Sequence, residues 1–398
     1  MDAEPRSSDL VKPMKILIIR PWPSLLDVTQ HTYNIQEVGL AKALTRRGHQ
    51  TDILFWTDRE EKEVEIPVEG FAPIRVFYRR GKAWLKNGWF PGQEALLAQY
   101  DILQTAEYNQ LYSWHLAGQY PYKTVIYHGP YYAPFNKNYN RMCRVFDALF
   151  TGRYRRLGTQ FLTKSSLARD FLLQKGISAQ QVTTVGVGID AELLQDHPEA
   201  GQTELERQMR TQKAGLKLLY IGRIEPRRDP FFLLKVLQEV RRADPAACLY
   251  LIGSGDEAYE EAFRAAIRET GLAPWVHWQK KAPQYQMKGV YQQADFFLLP
   301  TEYEIFGMVL LEAMFFRRIV LTTCNGGSDM LLRSGENGIV LPKEDSRPWA
   351  EQIMALARDP ARRAAMEQRA YETVIHQNTW DALAERFLQA YRKRLQGE

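Results

Sequence analysis

Residues 14–56 open with MKILIIR (Met14–Arg20), run on through NIQEVGLAKALTRRGH (Asn34–His49) and close on TDILFW (Thr51–Trp56). The first run is short, β-branched and almost continuously apolar, as a strand buried on both faces requires. Pro21-Trp22-Pro23 forces a loop after it. Ile35, Val38, Leu40, Ala41 and Leu44 then recur at helical spacing, and the pattern stops at Gly48. Strand, helix, strand is the βαβ unit of a parallel sheet, and its crossover is right-handed.

Outward from this unit the same alternation continues. DILQT (101–105), TVIYHG (124–129) and FLTKS (161–165) read as further strands. Between residues 191 and 214 the composition turns polar and rich in Gln and Glu, the mark of a linker or a surface helix. The alternation then restarts with KLLYIG (217–222), a helix from about 230, CLYLIGSG (248–255), another helix, VHWQ (276–279), DFFLLP (295–300), a helix from about 307, and RIVLTT (318–323). The simplest architecture is α/β: two doubly wound, Rossmann-like domains in tandem with a ligand cleft between them. An N-terminal domain is expected over 1–195, a C-terminal domain over 196–375, and a final amphipathic helix within 376–398, where Trp380, Leu383, Ala384, Phe387 and Tyr391 share one stripe.

The composition narrows the function classes. The chain has 398 residues, suiting two domains, and 52 Lys+Arg against 47 Asp+Glu leave a net charge of only +5, which argues against a dedicated nucleic-acid binder. Hydrophobic residues at 45% and charged residues at 25% exclude disorder as the main state. Cys143, Cys248 and Cys324 are far apart and in no CxxC pattern, so neither a disulfide framework nor a structural zinc is expected, and a reducing compartment fits. The polar N-terminus lacks the apolar run of a signal peptide, and no stretch reaches membrane-spanning length, so a cytoplasmic location is the expectation.

The chemistry gathers at LLPTEYEIFGMVLLEAM (298–314). Eight positions separate Glu304 from Glu312, so on one helix they would lie about 80° apart. They can face one ligand if Glu304 precedes the helix and Glu312 lies within it. The N–H groups of Phe306, Gly307 and Met308 then form an anion site at a helix N-terminus. Glu312, set among Met308, Leu310, Leu311 and Met314, needs a partner because an unpaired buried charge is costly. In LYIGRIEPRRD (219–229), Gly222 ends a strand and Arg223 and Arg228 follow, two always-charged donors suited to a diphosphate. Gly253-Ser254-Gly255 and Asn325-Gly326-Gly327 each read either as an ordinary turn or as a close backbone approach to ligand, and the missing third glycine weakens a nicotinamide dehydrogenase.

Taken in order, GRIEPRRDP, IGSG, ADFFLLPTEYEIFGMVLLEAM and NGGSDMLLRSGENGIVLP resemble the C-terminal half of the family 4 retaining glycosyltransferases of the GT-B fold. GLAKALTRRGHQTDIL and YHGP resemble that family's first helix and cleft histidine, and the Trp380 helix its segment that crosses back onto the N-terminal domain. The resemblance implies that Glu312 binds the ribose, Glu304 contacts the donor sugar, Arg223 holds the diphosphate and His128 touches the donor sugar. Gly222, Gly253, Phe306, Gly307 and Met308 would complete the donor site. Three departures stand out. Arg228 and Asp229 replace the family's usual lysine and glycine, PWPSLLDVTQHTYN replaces its glycine-rich loop, and Val187 and Asp329 replace an Asn and a Glu.

The expected activity is transfer of a sugar from a nucleoside-diphosphate sugar to an acceptor hydroxyl with retained anomeric configuration, in polysaccharide or glycolipid synthesis. No Asp-x-Asp motif is evident, so metal-independent transfer without a cofactor is expected. The competing readings are a sugar-nucleotide epimerase or phosphorylase on the same fold, the latter lacking an identifiable pyridoxal lysine, and an inactive sugar-nucleotide-binding protein. Two basic stretches bear on the acceptor, carbohydrate or lipid-linked: Arg75, Arg79, Arg80, Lys82 and Lys86 beside Trp84 and Trp89, and Lys137, Arg141, Arg144, Arg153, Arg155 and Arg156 against Asp147 alone. Each reads either as a peripheral membrane contact or as a solvated face beside core aromatics.

Overall fold

The computed structural model describes residues 12–23, 27–28, 35–84, 87–195 and 201–397. Part of the PWPSLLDVTQHTYN loop, Lys86 and the chain's first eleven residues lie outside them. Ile16, Leu17, Ile18 and Ile19 are all buried, so the strand Lys15–Arg20 is covered on both faces, as its unbroken apolar run demands.

Among the described residues the first sheet has eight strands. From one edge to the other they are Val182–Thr184, Gln160–Thr163, Thr124–His128, Ile102–Ala106, Lys15–Arg20, Gln50–Thr57, Ile74–Arg80 and Lys62–Ile66, and only the last pairs antiparallel. The second sheet is all parallel and runs Val276–Gln279, Cys248–Ile252, Lys217–Ile221, Phe296–Leu299, Ile319–Thr322, Ile339–Val340. Strand order reverses beside Lys15–Arg20 in one sheet and beside Lys217–Ile221 in the other. At such switch points a crevice opens beyond the carboxyl ends of the strands. His128, Arg223 and Glu304 all follow from strands that end there.

The helix Glu204–Thr211 packs with the second sheet, through contacts to the strand Val276–Gln279 and the helix Met287–Gln293. The final helix, Trp380–Gln396, returns to the first sheet instead. Thr379 caps it by accepting from Ala382 N–H at 3.1 Å, and Trp380, Leu383, Ala384, Phe387 and Tyr391 form its buried stripe. Phe387 packs on Tyr127, and Arg394 donates to the Gly158 carbonyl at 2.8 Å. The crossing is stitched at Ile189, whose N–H donates to Asn378 O at 2.8 Å. Trp380 then lies between two backbones: a Cβ on Gly39 would stand 2.2 Å from its indole, and one on Gly188 2.6 Å.

In the stretch around Arg75 the structure pairs part of the positive charge with acids of the same domain. Ile74–Arg80 is a sheet strand, and two of its basic side chains are neutralised within the domain. Arg75 pairs with the buried Asp52 at 2.7 Å and also meets Tyr100. Arg79 forms ion pairs with Glu61 and Glu63. Burial works against the ionised Asp52 carboxylate, but hydrogen bonds from Arg75, Tyr100 and Gln50 outweigh it and hold its pKa below the usual value.

The seating of Trp380 is directly testable. In a helix interior Gly→Ala ordinarily stabilises by up to about 1 kcal/mol. At Gly39 the new methyl would collide with the indole, so Gly39→Ala is expected to destabilise by about 1–3 kcal/mol, read as a lowered Tm. A raised Tm would mean that the indole does not sit there.

Candidate active site

The loop 300–307 leaves the strand Phe296–Leu299 and turns into the helix Met308–Phe315. Gly307 makes the turn with φ +76°, a left-handed backbone that suits glycine. The bond from Leu310 N–H to Gly307 O, 2.9 Å, closes the first turn, so the N–H groups just ahead are the helix's unpaired donors. Glu304 thus lies on the loop and Glu312 within the helix, the split required for both to serve one site. Phe306 is buried, while Met308 is the first helical residue. Glu312 is buried and accepts from Tyr291 OH at 2.8 Å. Burial pushes its carboxyl above the ordinary value, and the Tyr291 bond offsets only part of that.

Opposite Glu304 stands a cluster of arginines. Arg228 Nη2 lies 2.6 Å from Glu304 Oε2, and Arg227 contacts Glu225 at 2.7 Å and donates to Tyr303 O at 2.7 Å. Arg228 is 12% exposed, and its Nε and Nη1 have no hydrogen-bond partner among the described residues. Arg223 is placed differently: its side chain is 67% exposed and approaches only Glu225, at 3.4 Å. The structure therefore brings Arg228 and Arg227, rather than Arg223, to Glu304. Arg227 was not singled out by sequence, because a run of arginines in a loop does not say which one points inward.

The glycines prove to be packing requirements of the protein itself. A Cβ on Gly253 would stand 1.7 Å from Gly222 O, and one on Gly327 1.7 Å from Phe306 O. The second domain's loops therefore pack against one another through bare backbone, with Asn325 Oδ1 capping the helix Gly326–Leu331 by accepting from Gly327 and Ser328 N–H. Asp229 also finds its explanation. Its φ of +45° is the conformation a glycine would hold, and its side chain caps the helix Pro230–Arg241 while taking a bond from Lys343 Nζ at 2.9 Å. Asp tolerates left-handed backbone better than most residues.

His128 ends the strand Thr124–His128 fully buried, its ring stacked near Phe171. Its Nδ1 lies 2.8 Å from Glu107 Oε2, and Gly129 N–H donates to the same oxygen at 3.2 Å. Burial opposes the Glu107 charge, but these bonds and the nearby Lys164 outweigh it and hold the pKa below the usual carboxylate value. Nδ1 is turned to the Glu107 carboxylate, and Nε2 is buried without a hydrogen-bond partner among the described residues. Glu107 was missed in the sequence. Its one signal is its place directly after the strand Ile102–Ala106, and it sits at φ +61°, unusual for a residue with a side chain.

The two halves touch at this point. Tyr131 OH donates to Glu304 O at 3.1 Å and accepts from Gly326 N–H at 3.2 Å, and Asp329 takes a bond from Ser166 N–H at 3.2 Å. Among the described residues no three His, Cys, Asp or Glu side chains gather where they could hold a metal ion.

Comparison with known proteins was made against this geometry. Residues 201–373 match the family Glycosyl transferases group 1, and residues 38–193 match Glycosyltransferase Family 4. D-inositol 3-phosphate glycosyltransferase of Thermomonospora curvata is 29% identical over 237 residues, covering 56% of this chain and 54% of that protein. Its counterpart in Segniliparus rotundus is 31% identical over 180 residues, covering 45% and 40%. The chain thus spans about half the length of the curated relatives it matches. Among solved structures, Anabaena Alr3699/HepE in complex with UDP superposes with a TM-score of 0.71 at 15% identity, over 96% of this chain and 100% of that one. Sucrose-phosphate synthase from Thermosynechococcus elongatus gives 0.71 at 18%, over 96% and 100%. Both halves are matched and the fold is shared along nearly the whole length: the chain belongs to the family 4 glycosyltransferases of the GT-B fold.

Proposed function

We propose that this protein is a retaining glycosyltransferase that moves a sugar from a nucleoside-diphosphate sugar to an acceptor hydroxyl, in the synthesis of a polysaccharide or glycolipid. The observation that carries the reading is Arg228: guanidinium donors buried without a hydrogen-bond partner among the described residues, beside Glu304 and next to the N-terminus of the helix Met308–Phe315. Donors held ready before the reaction, in a site shielded from water, stabilise charge as it develops on a leaving diphosphate. Arg223, exposed at the cleft, would close on the same phosphates when donor binds. Glu312 would take the ribose hydroxyls. Glu304 would bind donor-sugar hydroxyls through the oxygen not held by Arg228, and His128 Nε2 would accept from another hydroxyl of that sugar.

Glu304 is already engaged by a guanidinium at 2.6 Å, which makes its carboxylate a weak nucleophile. Retention is therefore assigned to attack on the face the diphosphate leaves, with a diphosphate oxygen taking the acceptor's proton. The glycosidic carbon–oxygen bond to diphosphate breaks as that to the acceptor forms. The proton ends on the phosphate, and no further reactant is needed. Glu107 is a positioning residue that fixes the ring and tautomer of His128.

Two outcomes follow. Glu304→Gln and Arg228→Ala are each expected to lower kcat by about 100-fold or more while leaving Tm nearly unchanged, as loss of a preorganised charge contact does. Near-normal rates in both would overturn the assignment. Ribose hydroxyls donating to Glu312 would favour its ionised form, so its pKa falls on binding. Nucleotide binding should then release protons and tighten as pH rises through the raised pKa of the free protein. Calorimetry with UDP in two buffers of different ionisation enthalpy checks this, and an identical proton release in Glu312→Gln would remove Glu312 from the ribose.

A further inference from the structure

The surface between Tyr131 and Arg156 has an unusual outer face. The helix Lys137–Phe146 is capped by Asn136 and continues through a π turn, Asp147–Thr151, into the helix Gly152–Arg156. Asn140, Cys143, Phe146 and Tyr154 face inward and are buried. The opposite side should be polar, yet it carries Met142, Val145 and Leu149 at 48, 56 and 68% exposure, with Tyr132 and Phe135 exposed just ahead. Interleaved with them, Lys137, Arg141, Arg144, Arg155 and Arg156 are exposed and in no ion pair among the described residues. Asp147, the stretch's one acid, is neutralised by Lys175.

A second exposed patch adjoins it through one helix. Trp84, 67% exposed, belongs to the hairpin Lys82–Trp84 and Asn87–Trp89. Trp89 packs on Tyr112 and His115 of the helix Leu111–Gln119. Trp114 of the same helix packs on Phe150, donates to its carbonyl at 3.2 Å and lies under Arg153. At its other end the surface reaches the cleft, where Tyr131 and Phe135 both contact Tyr303, the residue before Glu304.

We propose that the outer face of the helix Lys137–Phe146 docks the N-terminal half onto an anionic phospholipid membrane. Apolar side chains spaced among unpaired basic ones are the pattern of a helix lying in the headgroup region, where the apolar residues enter the acyl boundary and the cations meet lipid phosphates. Arg144 and Arg155 also line one groove beside this helix, together with the Lys175–Asp147 ion pair, a place for a phosphate headgroup. A second copy of the chain fits less well, because a two-fold contact would set five uncompensated cations against the same five. No described helix is long and apolar enough to cross a membrane. The placement beside Tyr303 would present a lipid-anchored acceptor to the cleft.

The proposal stands apart from the donor reading, since its test needs no turnover. The 398-residue chain is sedimented with vesicles of phosphatidylcholine alone and of phosphatidylcholine mixed with phosphatidylglycerol. Binding is expected to the mixed vesicles only, and to weaken with added salt. Met142→Ser/Val145→Ser/Leu149→Ser and Arg141→Glu/Arg144→Glu should each reduce partitioning by about tenfold or more. The substituted side chains are all exposed, and an unchanged Tm and unchanged UDP binding confirm an intact fold. Three results would overturn the proposal: no binding to anionic vesicles, binding by both variants equal to that of the unsubstituted chain, or a dimer seen by light scattering that the same substitutions break in the absence of vesicle binding.

Discussion

The seating of Trp380 against Gly39 and Gly188 is the contact on which the arrangement of the molecule depends. The first sheet is covered only when the final helix returns to it, and neither sheet alone could present a cleft. The chain leaves the second sheet after the helix Pro360–Gln377, bonds to Ile189 and drops its indole onto two residues with no side chain. The helix that follows covers the first sheet, ending with Arg394 bonded to Gly158. Both sets of carboxyl strand ends are thereby turned toward each other, and Tyr131 can reach Glu304 and Gly326.

The parallel strands were legible because burial on both faces leaves an unbroken apolar run, which polar loops then frame. KLLYI, CLYLI and DFFLL announce themselves in this way. The edge of the first sheet did not. KEVEI (62–66) alternates, carries charge and faces solvent on one side, and IRVFYRR (74–80) reads as a basic surface until its partners are known. Those partners, Asp52, Glu61 and Glu63, sit on other strands or loops, and pairing across a sheet leaves no trace in local spacing.

The site shows the same division. Glu304 and Glu312 were legible because charged residues in so apolar a segment demand a reason. The choice among Arg223, Arg227 and Arg228 was not, since it turns on a single 3-10 turn, Pro226–Arg228, that brings Arg227 and Arg228 to Glu304 and leaves Arg223, ahead of it, exposed. Glu107 was hidden for another reason. Its contact is with His128, twenty-one residues away, and its mark is a backbone angle. The departures from the family pattern divide likewise: Asp229 keeps the glycine's conformation, whereas Asp329 supplies a bond across the cleft.

Tyr131 joins these threads. Its one phenol oxygen is shared between two main-chain groups of the opposite half, Glu304 O and Gly326 N–H, while its own N–H meets Tyr303 OH at 3.2 Å. Hydrogen bonds of this length fail within about an ångström of stretch. Separating the halves strips all three bonds together, and the loop 300–307 loses these contacts with the opposite half. Tyr131 thus ties the position of the loop 300–307 to the closure of the two halves.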